Sequence, residues 1–207
     1  MENPKTTYAR LWRDTGRWFL AGAIVVGLQW AAVTGDGWVG LVSHVDLGFH
    51  ELGHMLFMWA PPVAHAIGGT LLQAAVPLGL FMYFFMGRRD GFASALMLGW
   101  EAVALRNIAV YMADAPVRVL PLLGGQGGHD WSFLFSHWGV LDHAGSIAMV
   151  VKGVGLVVAG LGVGLAVRGL MAPRIEARRA DRAEARLRAL PVREPRNPTA
   201  PLVDVDE

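Results

Sequence analysis

The stretch "HVDLGFHELGHMLFMW", residues 44–59, places two histidines and a glutamate inside an otherwise apolar segment. Three of these residues, His50, Glu51 and His54, form the pattern H-E-x-x-H. Hydrocarbon penalises ionisable groups heavily, so such groups within a membrane segment indicate a functional site by default. The fold and the function of the chain therefore both depend on whether this segment lies in a membrane.

The composition of the whole chain is typical of a membrane protein. Hydrophobic residues make up 54% of the 207 positions, and the mean hydropathy is +0.39, well above the usual values for a soluble domain. The sequence contains no cysteine, which excludes disulfides, thiolate metal ligands and a cysteine nucleophile. A formal net charge of +1 gives no reason to expect nucleic acid as a partner.

Several apolar segments have about the 20 residues that a helix needs to cross the hydrocarbon layer. They cover residues 18–34, 38–60, 64–86, 92–113 and about 144–167. We therefore predict an all-α, polytopic membrane helical bundle with four to six membrane segments, one of which could be re-entrant. The first segment could also be a signal peptide, but its length and the tryptophans at both ends favour a retained membrane helix.

The distribution of basic residues predicts the orientation of the chain. Basic residues gather near both ends and in the turn "GRRD", residues 87–90, and the positive-inside rule places such clusters in the cytoplasm. All three clusters agree only if residues 35–86 cross the membrane once in net effect. Either the segment around His50 or the region 68–77 would then enter and turn back. We expect a protein of a bacterial-type inner membrane with both termini cytoplasmic.

The spacing within H-E-x-x-H has a direct chemical meaning. On a helix, positions i and i+4 lie on one face a turn apart, so the imidazoles of His50 and His54 can reach one metal ion. The carboxylate of Glu51 can then take a proton from the attacking water. Because the chain has no thiolate, nitrogen and oxygen must hold any metal, and Zn²⁺ is the expected ion.

A catalytic zinc site needs a third protein ligand. The candidates lie in or beside the long loop between residues 114 and 143, and they are Asp114, His129, Asp130, Asp142 and His143. The string "GGHDW" is the most suggestive, because its glycines could bring His129 and Asp130 back to the metal helix. Asp130 could equally be the N-cap of the apolar helix that follows it.

A polar stripe runs along the predicted fourth segment. Asn107, Tyr111 and Asp114 follow the spacing i, i+4, i+7 and so share one helix face. These side chains could bind a substrate or support the metal ligands. A hydrogen-bond network that ties membrane helices together is the alternative.

The first motif resembles that of the site-2-protease-like intramembrane zinc metalloproteases. In that family, H-E-x-x-H lies on a membrane helix, and an aspartate in a later motif of the Leu-Asp-Gly type is the third ligand. His50, Glu51 and His54 match the first motif, and the resemblance implies two zinc ligands and a general base that later acts as an acid. The string "GGTLLQAAVPL", from Gly68, falls where many members carry a glycine pair.

The resemblance covers roughly residues 38–145 and departs from the family at the second motif. The string "GGHDW" is not Leu-Asp-Gly, so the resemblance favours Asp130 as the third ligand and leaves His129 as the alternative. The chain also has no PDZ-like insertion.

These features predict three parts of the chain. Residues 1–17 form a cytoplasmic N-terminal segment, residues 18–170 a membrane metalloprotease-like domain, and residues 171–207 a cytoplasmic tail that is helical and then disordered. A solvated tail is expected, with partner docking as the alternative.

The expected function is zinc-dependent hydrolysis of a peptide bond in or near the lipid bilayer, with a membrane protein or peptide as substrate. A membrane hydrolase or lyase for a small apolar substrate is one alternative. A non-enzymatic, metal-binding scaffold or transporter is the other. Nothing in the sequence predicts the oligomeric state.

Overall fold

The computed structural model describes residues 4–123 and 128–188, and the regular elements among these residues are all helices, with no strand. The helices are α1 (Pro4–Thr34), α2 (Gly40–Leu56), α3 (Pro62–Met82), α4 (Gly91–Asp114), α5 (Asp130–His137) and α6 (Ala144–Arg188). A π-helical turn, Tyr83–Arg88, extends α3, and a 3-10 turn, Leu141–His143, precedes α6. The predicted all-α class is confirmed.

The chain divides into two units, Met1–Leu170 and Met171–Glu207. In the second unit, the described residues continue helix α6 to Arg188. Residues 189–207, where the predicted disordered end falls, lie outside the described part of the chain.

Four helical segments are long and apolar enough to cross a membrane, as predicted for a bundle of four to six membrane segments. They are Thr15–Thr34, Pro62–Arg88, Gly91–Asp114 and Leu141–Pro173. The segment around His50 becomes α2, whose 17 residues span about 25 Å, less than the roughly 30 Å of the hydrocarbon layer. It is the one predicted apolar segment that is too short to count as a candidate span.

The contacts between spans show how the helices are directed. Val25 of α1 lies against Gly99 of α4. About two turns further along both helices, Arg106 Nε donates a hydrogen bond to the carbonyl oxygen of Ala32 at 2.9 Å. Contacts therefore advance together along the two helices, so α1 and α4 run parallel. Because a tight turn joins α3 to α4, α3 runs in the opposite direction.

Helix α6 also runs antiparallel to α1. Gly162 packs against Val25, whereas the later Gly169 packs against the earlier Trp18. The four spans thus alternate in direction. One end of the bundle holds the end of α1, the start of α3, the end of α4 and the start of α6, and we call it the loop end. The other end, with Arg88 and Arg89 in the α3–α4 turn, is the arginine end.

Helix α2 is connected to the loop end at both of its termini. Residues 35–39 join it to α1 and residues 57–61 join it to α3. The chain therefore makes no net crossing between α1 and α3. This geometry agrees with the alternative in which the segment around His50 enters and returns, whereas residues 68–77 lie within the continuous helix α3.

Helix α2 buries polar side chains and exposes apolar ones. Its buried residues recur every three or four positions and share one face: Ser43, Asp46, His50 and Gly53. Large apolar side chains on the other faces are exposed, among them Leu41, Met55 and Leu56. A helix in water usually shows the reverse pattern, so this arrangement is typical of a helix with an apolar environment on its outer faces.

Candidate metal centre

Three side chains from α2 and α5 meet at one point. Nε2 of His50 lies 3.1 Å from Oδ2 of Asp130, and Nε2 of His54 lies 3.2 Å from the same oxygen. The two Nε2 atoms are 3.1 Å apart. A tetrahedral zinc with bonds of about 2.0–2.1 Å separates its ligand atoms by roughly 3.3–3.4 Å. The three atoms thus have nearly the spacing of one face of such a tetrahedron, and His50, His54 and Asp130 could hold a metal ion. We call these three residues the metal group.

The other nitrogen of each imidazole faces a protein acceptor. Nδ1 of His54 lies 2.9 Å from the carbonyl oxygen of His65, and because a carbonyl only accepts, this nitrogen carries the proton. Nδ1 of His50 lies 3.2 Å from Oε1 of the buried Gln73. In the neutral rings, both Nε2 atoms then direct bare lone pairs at each other and at the carboxylate of Asp130. In these tautomers the three atoms are all acceptors, so the group is stabilised by a positive charge, either a proton on an imidazole beside Asp130 or a bound metal ion.

The carboxylate of Asp130 is held by a tyrosine on α4. The hydroxyl of Tyr111 donates to Oδ2 of Asp130 at 3.2 Å and accepts from the backbone N–H of the same residue at 3.0 Å. Burial alone would raise the pKa of Asp130, but hydrogen bonds with His50 and His54 outweigh it and hold this pKa well below its usual range. The carboxylate is therefore available as an anionic ligand.

The structure leaves His129 outside the metal group. His129 is the N-cap of α5, because its Nδ1 accepts a hydrogen bond from the backbone N–H of Ser132 at 3.1 Å. Its Nε2 then carries the proton and lies 3.3 Å from Oδ2 of Asp114. Burial lowers the pKa of His129, which favours this neutral form. Of the two predicted third ligands, only Asp130 reaches the pair, and the cap role proposed for Asp130 belongs to His129.

Asp114 organises the loop that leads to α5. Its Oδ1 accepts from the backbone N–H of Val119 at 3.0 Å, and its Oδ2 accepts from that of Leu120 at 3.1 Å. The same carboxylate holds His129, the residue before Asp130. Asp114 thus ties both described parts of the loop to the end of α4 and positions Asp130 indirectly.

Asn107 belongs to a second polar cluster on the same face of α2, which we call the Asp46 cluster. Its side-chain amide lies 3.0 Å from Oγ of Ser43 and donates to Oδ2 of Asp46 at 3.1 Å. Nε1 of Trp100 donates to the other carboxylate oxygen of Asp46 at 2.6 Å. The predicted polar stripe is therefore divided: Tyr111 supports a metal ligand, and Asn107 joins helices while also lining the cavity.

Glycines allow α2 and α3 to approach closely beneath the imidazoles. A Cβ atom on Gly69 would lie 2.6 Å from Nε2 of His54 and 2.7 Å from Nε2 of His50. A Cβ atom on Gly53 would overlap the carbonyl group of Gly68. The glycine pair that the family resemblance singled out therefore forms the floor of the metal group.

A cavity of about 990 Å³ opens beside the group, near the upper limit of roughly 1,000 Å³ for small-molecule sites. Glu51, half-buried, lines this cavity together with the two imidazoles and Asp130. Much of the remaining wall is apolar and includes Trp38, Leu47, Val110, Leu120 and Phe133. The metal group thus faces a large cavity with a largely apolar wall.

Sequence reasoning did not single out Gln73 or Asp46. Each stands alone in an apolar stretch, and Asp46 lies four residues before His50, on the same helix face. An isolated polar residue in a membrane segment is itself a signal, because burial without a partner is costly there.

No protein-family model matches the chain, and neither a curated protein nor a solved structure matches it. The resemblance to intramembrane metalloproteases therefore rests on the sequence motif alone.

Proposed function

We propose that the protein is a zinc-dependent intramembrane metalloprotease that hydrolyses a peptide bond in or near the membrane. The observation that supports this most directly is the convergence of three possible ligand atoms, from His50, His54 and Asp130. Glu51 lies next to this group on the wall of a large cavity.

Each residue of the site has a role in this proposal. His50, His54 and Asp130 would hold the zinc, and Nε2 and carboxylate ligands suit that ion. Zinc bound there would supply a Lewis acid for the substrate carbonyl and for the attacking water. Glu51 takes the proton of that water and passes it to the leaving amine.

The proposed setting is a bacterial-type inner membrane with both termini in the cytoplasm. An even number of alternating spans supports this orientation, because four crossings return the chain to the side on which it started. Basic residues before the first span, in the α3–α4 turn and after the last span agree with that side.

The decisive experiment is the variant Glu51→Gln. The amide keeps the shape of the side chain but cannot accept a proton, so we expect zinc content to stay unchanged and cleavage to fall by about 100-fold or more. The assay uses co-expressed reporters, each with a single apolar membrane span of varied sequence between two affinity tags.

The matched control is Glu101→Gln. Glu101 is the other glutamate between residues 18 and 170, and it lies on α4, outside the cavity wall. This variant should cleave like the parent protein. Full cleavage by Glu51→Gln would remove the protease proposal and leave the metal-binding scaffold or transporter.

The cavity also favours one related function. Its apolar wall and volume of about 990 Å³ suit a small apolar substrate, which a membrane hydrolase or lyase would process with the same residues. Mass spectrometry of lipid extracts from cells with the parent protein and with Glu51→Gln separates the two functions. A lipid difference without reporter cleavage would favour the small substrate.

A further inference from the structure

We infer that the metal centre receives its substrate from the non-cytoplasmic side of the membrane. The substrates would then be membrane-anchored polypeptides, cut in a segment close to the outer face of the membrane. The nature of the substrate rests on the proposed function, whereas the side of access rests on the helix directions and the charges.

The cavity reaches only the loop end of the bundle. Its lining residues come from the turn after α1, from α2, from the first half of α3, from the last turns of α4 and from the loop before and within α5. Within the described part of the chain, none of them lies between residues 74 and 106 or after residue 133. The described lining of this cavity therefore comes from the half of the bundle at the loop end.

The two ends of the bundle differ sharply in basic residues. The connections at the loop end, residues 35–61 and 115–140, contain a single lysine or arginine, Arg118. The arginine end has Arg88 and Arg89 in a short turn and Arg17 at the start of the first span. Because short cytoplasmic connections are enriched in lysine and arginine, the arginine end is cytoplasmic and the loop end is not.

Exposed aromatic side chains place the cavity near a membrane surface. Trp38, Trp59 and Trp138 are exposed at the loop end, and tryptophan is enriched where hydrocarbon meets water. Trp38 itself lines the cavity, as do Leu120 and Leu122 in the loop after α4. A polypeptide segment that lies partly in the interface can thus reach the metal group without crossing the membrane.

Single-cysteine labelling tests the inference, because the parent chain contains no cysteine. Val119→Cys places a thiol on the exposed loop, Leu122→Cys places one in the cavity wall, and Gly87→Cys places one in the arginine-end turn. An added Cβ at Gly87 has its nearest neighbour at 3.8 Å, an ordinary contact. None of these changes alters a charge or a ligand of the metal group.

Intact cells are treated with a membrane-impermeant maleimide, and the total thiol is then measured after lysis. We expect Val119→Cys and Leu122→Cys to react in intact cells and Gly87→Cys to react only after lysis. Labelling of Gly87→Cys alone in intact cells, or equal labelling of all three, would overturn the inference. If the loop thiols stay unreactive after lysis, Met58→Cys, which is also exposed at the loop end, decides in their place.

The outcome is separate from that of the proposed function. If the loop-end thiols react in intact cells but the protein neither binds zinc nor cleaves a reporter, the proposed protease function is refuted and the inferred side of access stands. If cleavage depends on zinc but the loop-end thiols react only after lysis, only the inferred side of access is refuted.

Discussion

Helix α2 carries two buried polar clusters one turn apart. The two clusters differ in how their hydrogen-bond donors and acceptors are paired. In the Asp46 cluster, each carboxylate oxygen of Asp46 receives an N–H group, one from Trp100 and one from Asn107. In the metal group, the Nε2 atoms of His50 and His54 face each other and a carboxylate oxygen. The first cluster pairs the oxygens of its carboxylate with donors, whereas the second brings together three atoms that could hold a metal ion.

This difference separates two reasons for polar residues within a membrane protein. A buried group whose donors and acceptors are paired stabilises the contact between helices. A buried group in which acceptors outnumber donors is stabilised by an added proton or a bound cation. Both clusters share one face of one helix, so burial and position alone would not distinguish them.

The largest expected effect comes from the His50→Ala/His54→Ala double variant. Two of three ligands are lost, so we expect zinc to fall from about one ion per chain to a background level in elemental analysis. The matched control is His44→Ala, which changes another histidine of α2, one that hydrogen-bonds only to the backbone of its own helix. Unchanged zinc in the double variant would show that the metal group is not the zinc site.

The next effect is that of Asp130→Asn. Asparagine keeps the shape but lacks the negative charge, and we expect zinc affinity to fall by about 100-fold or more in a chelator competition assay. Helix α5 should remain, because His129 and not Asp130 caps it. A variant that keeps full zinc affinity would mean that the third ligand lies elsewhere.

Local features of the sequence predicted two members of the metal group, His50 and His54, and most of the fold. The spacing of His50 and His54 is a property of one helix, and hydropathy is a property of each span. The path of α2 was less certain, because a segment of 17 residues is near the lower limit for crossing. The contacts between α1 and α4, together with the tight turn from α3 to α4, place the end of α1 and the start of α3 at the same end of the bundle, and α2 joins them there.

The third residue of the metal group, Asp130, is placed there by contacts between residues that are far apart in the sequence. Asp130 is 76 positions from His54, so only the neighbouring pair His129 and Asp130 could be proposed from the motif. The choice between them follows from the hydrogen bonds of His129 with Ser132 and Asp114. No local pattern encodes that arrangement, since it requires the loop to fold back on the end of α4.

A smaller effect is expected for Gln73→Leu. The change removes the acceptor for Nδ1 of His50 and so frees the imidazole to rotate or change tautomer. Partners of this kind typically contribute about 10–100-fold to metal affinity, and chelator competition should show a loss in that range. The control is Gln29→Leu, which removes a membrane glutamine that bonds to the carbonyl of Gly99 instead. Equal losses in both variants would indicate a general effect on folding.

The smallest effect on the metal is expected for Asp46→Asn, although this variant should lose stability. One N–H group of Trp100 or Asn107 would then face an amide N–H, and an unsatisfied buried donor costs about 1–3 kcal/mol. The unfolding temperature in detergent should therefore fall, while zinc affinity changes by less than about twofold, since no hydrogen bond joins Asp46 to the metal group. Asp142→Asn, at an exposed aspartate, should change neither property. If Asp46→Asn instead weakened zinc binding as much as Asp130→Asn, the two clusters would act as one site. The pairing of donors with acceptors would then not distinguish structural residues from metal-binding residues on α2.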